Sequence, residues 1–190
     1  MSIKPKRKST RTKTTRRKTT TKKSSTVKKK RVYKTAKAKY KQIVDFYNSL
    51  QHPEKYCGKS KLITLRSSYE IQYAIKLDNC DDVVEWSSED IIVWYEFPQY
   101  EKHRYFTDFY IKMKNGKEYV IEVKPAHQTI EPKEKKCSSR AIYNRAMFTY
   151  HKNLAKWTAA DEYCKNESSK GRKIKFKVIT ESDLIKESVI

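Results

Sequence analysis

The chain has no apolar run approaching the ~20 residues a membrane span requires, and no signal-peptide core. Neither a membrane-embedded nor a secretory protein is expected. The four cysteines, Cys57, Cys80, Cys137 and Cys164, are widely separated and include no CxxC pair. Zinc sites as a rule draw on closer ligand pairs, so reduced thiols in an intracellular protein are expected. No internal repeat is visible. The first 40 residues contain no acid at all, and almost no large apolar side chain before Val32.

That last absence divides the chain. Residues 1–40 carry 18 Lys or Arg, whereas the remainder carries 26 basic against 22 acidic groups. A segment so charged, and so rich in Ser and Thr, cannot bury enough surface to offset its ordering entropy. The composition predicts a disordered basic arm over 1–40 and a folded domain over 41–190. A polyanion suits the arm, nucleic acid first, because Lys and Arg displace condensed counterions without sequence preference. Arg16, Arg17, Lys18, Lys28, Lys29, Lys30 and Arg31 are its candidate DNA contacts. A localisation signal, attraction to acidic lipid and a solubilising tail are the alternatives. A transit peptide fits poorly, since no amphipathic stripe is present.

Beyond the arm, Tyr40, Ile43, Val44, Phe46 and Tyr47 recur at helical spacing within 36–50. Ser67-Ser68-Tyr69-Glu70 opens a clearer helix that ends near Asp78-Asn79. Strands are predicted at Val83–Trp86, Ile91–Phe97, Arg104–Met113 and Glu118–Lys124, the last two flanking Lys114-Asn115-Gly116. A long helix should run from about Ser138 to Lys165, with Tyr143, Met147, Tyr150, Leu154, Trp157 and Cys164 as its apolar face. Ile174, Phe176 and Val178 then alternate with Lys173, Lys175 and Lys177, a half-buried strand with one cationic face. A short helix should begin near Ser182. The fold class is α/β, a small mixed sheet flanked by helices.

The residues with the most chemical content are Asp108 and, fourteen positions later, Glu122-Val123-Lys124. Glu-x-Lys alone is weak in a chain that is 35% charged, and Glu131-Pro132-Lys133 and Glu134-Lys135-Lys136 are decoys. Both decoys lie in a polar segment, and Pro fits a central strand poorly. Only Glu122-Val123-Lys124 ends an apolar run, where two charges are costly without a partner. A two-residue Asn115-Gly116 turn would set Asp108 opposite Val123. A three-residue turn with Gly116 left-handed sets Asp108 opposite Glu122, and alternation then brings Lys124 to the same face. The three-residue register is the expected one.

Two or three carboxylates plus a phosphate oxygen suffice to hold Mg²⁺ or Mn²⁺, and a lysine can stabilise charge on a reacting phosphate. Glu70 is a possible third acid, but Ser67-x-x-Glu70 is equally a capping box. A structural ion pair at a sheet edge competes for the other three residues. His103, His127 and Gln128 flank the pattern and read as well as ordinary surface groups.

Arg66-Ser67-Ser68-Tyr69-Glu70, Trp86-Ser87-Ser88-Glu89, His103 to Phe109, and Ile121-Glu122-Val123-Lys124-Pro125 together resemble the TnsA-like branch of the PD-(D/E)xK nucleases. The similarity is closest to the head completion proteins of T4-type tailed phages. Val178 to Leu184 resembles the family's last strand and turn. The resemblance spans roughly residues 50–186 and leaves the arm outside. It implies a restriction-endonuclease-like core and a Mg²⁺-dependent DNA endonuclease, with Glu70, Asp108, Glu122 and Lys124 at the catalytic positions. The first three would be the metal ligands. The family's usual Pro before the Asp is Thr107 here. Phage relatives imply late work on DNA-filled heads in the host cytoplasm, retention in the head or neck, and portal, neck or capsid partners. A structural DNA-binding head protein with an inactive site and a transposition-type endonuclease are the alternatives.

Overall fold

The computed structural model describes residues 44–190, Leu62 and Glu187 aside. Helix α1 is one turn, Val44–Tyr47; the rest of the helix expected from residue 36 lies outside the described residues. Helix α2, Ser68–Asn79, starts where expected because the Ser67 hydroxyl accepts the Glu70 N–H and satisfies an orphan donor of the first turn.

Six strands follow: β1 (Val83–Ser88), β2 (Ile92–Glu96), β3 (Lys102–Phe106), β4 (Phe109–Met113), β5 (Glu118–Val123) and β6 (Ile174–Ile179). The main sheet has the order β1-β4-β5-β6, with β6 parallel to β5 and the other neighbours antiparallel. A parallel neighbour needs a long crossover. The 30-residue helix α3, Arg140–Ser169, supplies it. Helix α4, Glu181–Leu184, follows β6 and is held at its start by a capping box between Thr180 and Asp183.

Two apolar layers hold the sheet. On one side Ile71, Tyr73, Ala74 and Leu77 of α2 cluster with Trp86, Phe109, Ile111 and Ile121. On the other, Cys164 of α3 joins Val120 and Ile174, and Ala160 joins Val93, Tyr95 and Tyr105. Strand β6 has the expected half-buried character, with Ile174 buried and Lys175, Lys177 and the preceding Lys173 exposed.

Two expectations are corrected. The strand expected over Arg104–Met113 is two strands: β3 pairs only with β2 in a separate hairpin, and β4 enters the main sheet. The break falls at Thr107-Asp108. There the Thr107 N–H is held by the Ile91 carbonyl at 3.1 Å and the Asp108 carbonyl by the Glu89 N–H at 3.3 Å. On α3 the buried positions are Asn153, Ala160 and Cys164, while Leu154 is 37% exposed. Alanines at 155, 159 and 160 turn that side of the helix onto the β2–β3 hairpin.

Candidate active site

The β4–β5 hairpin sets the geometry. Gly116 has φ +74°, its N–H donates to the Met113 carbonyl at 2.9 Å, and the Met113 N–H donates to the Lys117 carbonyl at 2.9 Å. That is a three-residue turn over Lys114, Asn115 and Gly116, with glycine at the left-handed position. The ladder pairs Lys112 with Glu118 and Phe109 with Ile121. One step further, Asp108 lies opposite Glu122, as the three-residue register requires.

Glu122 is 1% exposed. Its Oε1 is 2.6 Å from Lys124 Nζ, and its Oε2 accepts the Tyr105 hydroxyl at 2.5 Å. Lys124 Nζ is also 3.7 Å from Asp108 Oδ2, which accepts the Val123 N–H at 2.8 Å. Asp108, Glu122 and Lys124 therefore meet as anticipated. Glu70 is buried and serves its helix: Oε2 accepts the Arg66 N–H at 2.6 Å, and Oε1 accepts the Ser67 hydroxyl at 2.8 Å. It also feels the charges of Lys124 and Glu122. The Ser67 hydroxyl caps the helix as expected, but the Glu70 carboxylate takes the Arg66 N–H in place of the Ser67 N–H, so the reciprocal capping box is not closed.

Burial dominates the electrostatics. It pushes the Asp108 carboxyl well above the usual range, and the like charge of Glu122 pushes it further against the pull of Lys124. Burial also raises Glu70, opposed by the Arg66 N–H and Ser67 hydroxyl. Burial alone would lower Lys124, but Asp108 and Glu122 outweigh it and hold the ammonium above its ordinary value. Three carboxyl groups thus share one lysine, and burial disfavours the ionised forms of Asp108 and Glu70. Among the described residues no three carboxylate, imidazole or thiol groups close into a metal cage. Lys124 bridges Asp108 and Glu122, and the Glu70 carboxylate is engaged by its own cap.

Two members of the site were not foreseen from sequence. Tyr105 on β3 binds Glu122, and Lys156 on α3 stacks its ammonium on the Tyr105 ring, 4.9 Å from the centroid. Burial lowers the Lys156 pKa, and the charges of Glu122 and Asp108 reach it. Alternation in β3 could have flagged Tyr105; nothing local flags Lys156. His127 and Gln128 lie on a 3-10 turn, Ala126–Gln128, just past Lys124 and Pro125. His103 instead sits beside Glu101 and Tyr95. The arm residues Arg16, Arg17, Lys18, Lys28, Lys29, Lys30 and Arg31 lie outside the described residues.

No solved structure matches the chain. The chain is 31% identical over 134 residues to a protein of Enterobacteria phage T4 called head completion nuclease, covering 68% of this chain and 86% of that one. The family model for the N-terminal domain of TnsA-like endonucleases matches residues 80–181. That span takes in Asp108, Glu122 and Lys124, and begins after Glu70. With a buried acid pair bridged by lysine inside the matched span, the chain belongs to the TnsA-like endonuclease family.

Proposed function

We propose that this protein is a divalent-metal-dependent DNA endonuclease acting at phage head completion, processing or trimming packaged DNA ends before tail attachment. The observation that carries the proposal is the meeting of Asp108, just before β4, with Glu122 and Lys124 at the end of β5. The name of the T4 relative supports the head-completion setting.

The donor set suits a hard cation. Asp108, Glu122 and Glu70 offer oxygen ligands, as Mg²⁺ or Mn²⁺ prefers. A divalent ion would favour the ionised form of Asp108 that burial and the neighbouring Glu122 disfavour. When bound, the ion supplies Lewis acidity to the scissile phosphate and to the attacking water. The protein supplies the rest. Tyr105 fixes one Glu122 oxygen and so orients the carboxylate. Lys124, charged over the whole working pH range, donates to the phosphate as negative charge grows on it.

Residues 1–40 act in this scheme as a basic arm that holds duplex DNA, beside a nuclease domain over 41–190. The protein works in the host cytoplasm during assembly and stays with the head or neck, where portal, neck or capsid proteins are its neighbours. The test is cleavage of linear and circular duplex with and without Mg²⁺. Asp108→Ala and Glu122→Ala should each abolish nicking and leave DNA binding largely intact; cleavage retained in both sinks the proposal. A parent protein that never cuts with Mg²⁺ or Mn²⁺, yet assembles on particles, would identify a structural head protein with an inactive site.

A further inference from the structure

Helix α3 has two halves of different chemistry. Its C-terminal half mixes signs in the manner of a solvated face, with Asp161 and Lys165 paired at 2.7 Å. Upstream the acids vanish: from Arg140 to Ala160 the helix holds four Lys or Arg and no Asp or Glu. No residue from Arg140 to Lys152 is buried. Among the described residues, neither Arg145 nor Lys152 takes part in an ion pair.

Three of the basic residues and a threonine are also ordered in space. Arg145, Thr149, Lys152 and Lys156 follow the spacing i, i+4, i+7, i+11, which keeps them on one stripe of an α-helix. At 1.5 Å per residue the stripe is about 16 Å long, which matches about five base-pair steps measured along the duplex axis at ~3.4 Å of axis each. Its inner end is Lys156, which feels Glu122, Asp108 and Lys152. Toward its outer end, Arg145 and Thr149 line a groove of about 280 Å³ together with His127 and Gln128, just past Lys124.

We infer that this stripe is the track on the folded domain along which a DNA duplex backbone is led to Asp108, Glu122 and Lys124. The inference rests on the nuclease assignment above and gives it a substrate path. A solvated helix face needs no such bias of sign, and the other half of the same helix lacks it. Charge complementarity favours a polyanion, and the link to the acid cluster favours the nucleic acid being cut. Lys156 anchors the strand beside the site, while Lys152 and Arg145 take successive phosphates outward.

The test measures binding by full-length protein carrying Asp108→Asn, so that cutting cannot interfere. Affinity for a short blunt duplex is followed by fluorescence anisotropy over a series of NaCl concentrations. Adding Arg145→Gln and Lys152→Gln should lower the slope of log K against log salt by about two units, since each lost phosphate contact is worth about 0.9. Arg145→Gln alone, at an exposed position, should lower it by about one and keeps the test readable if the pair misfolds. Lys173→Gln with Lys175→Gln, exposed lysines at the start of β6 and just before it, should leave the slope unchanged. An unchanged slope in the α3 variants overturns the inference. An equal drop in the β6 control overturns it too, because the binding would then be indifferent to position. Neither result depends on whether the parent protein cuts DNA.

Discussion

Tyr105 donates its hydroxyl hydrogen to Oε2 of Glu122 across 2.5 Å, and the two residues come from different sheets. Tyr105 belongs to the β2–β3 hairpin and Glu122 to β5 of the main sheet. With Lys124 on Oε1, both oxygens of a fully buried carboxylate have fixed partners. The hydrogen bond therefore orients the carboxylate as well as tying the hairpin to the sheet.

Replacing Tyr105 by Phe keeps the ring and removes that orientation. Divalent-ion affinity should fall roughly 10- to 100-fold, the usual effect of losing a group that aligns a ligand. Isothermal titration with Mg²⁺, and with Ca²⁺ as a non-catalysing ion, measures it directly. An affinity equal to that of the parent would contradict the positioning role.

The buried acids should make the protein more stable when one is neutralised. Asp108 and Glu70 have pKa values raised in the native state, whereas unfolded Asp and Glu titrate near about 3.9 and 4.3. Between those values and the raised native ones, the unfolded chain binds fewer protons, so stability falls as pH rises. Asp108→Asn should therefore be more stable than the parent at neutral pH by about 1 kcal/mol, or about 2–4 °C in Tm. The advantage should shrink toward pH 4. Thermal scans at several pH values check both the sign and the trend.

Lys124 is the counterweight. Lys124→Gln leaves two carboxylates without their bridge and should cost roughly 2–3 kcal/mol, below the full effect of breaking a buried pair because the side chain is 22% exposed. Adding Asp108→Asn should recover part of the loss. Urea unfolding of the four proteins in the cycle gives the coupling, and strict additivity would mean that the two residues do not interact.

Removing residues 1–40 should weaken DNA binding and flatten its salt dependence, since the segment carries 18 Lys or Arg. Salt titration of the truncated and complete chains measures the difference. An unchanged slope would mean that the segment binds something other than DNA, such as a capsid surface.

The hairpin was legible in the sequence because its register is local: Lys114-Asn115-Gly116 names the turn, and the turn decides which residues face each other. Helix α2 was legible through its cap for the same reason. The split of Arg104–Met113 was not, because the alternation of residue types runs unbroken across Thr107 while only contacts to Ile91 and Glu89 reveal the change of sheet. The buried side of α3 was misread for a related cause. Large side chains suggested a stripe through Leu154, but alanines allow the close approach to β2 and β3 that decides the packing. Lys156 owes its position to that approach, so no local pattern could announce it.

The three-residue turn has a consequence for relatives of this chain. Asp108 stands five residues before Met113, and Glu122 stands five after Lys117. The two arms of the hairpin are equal, and the facing of the acids depends on that equality. If an ancestor or descendant gains a residue on one arm, the partner arm must gain one as well, or the acids part. While the turn keeps its length, the interval from Asp to Glu must therefore be an even number. An odd interval in a related sequence announces a different turn or a lost site, and counting residues is enough to tell.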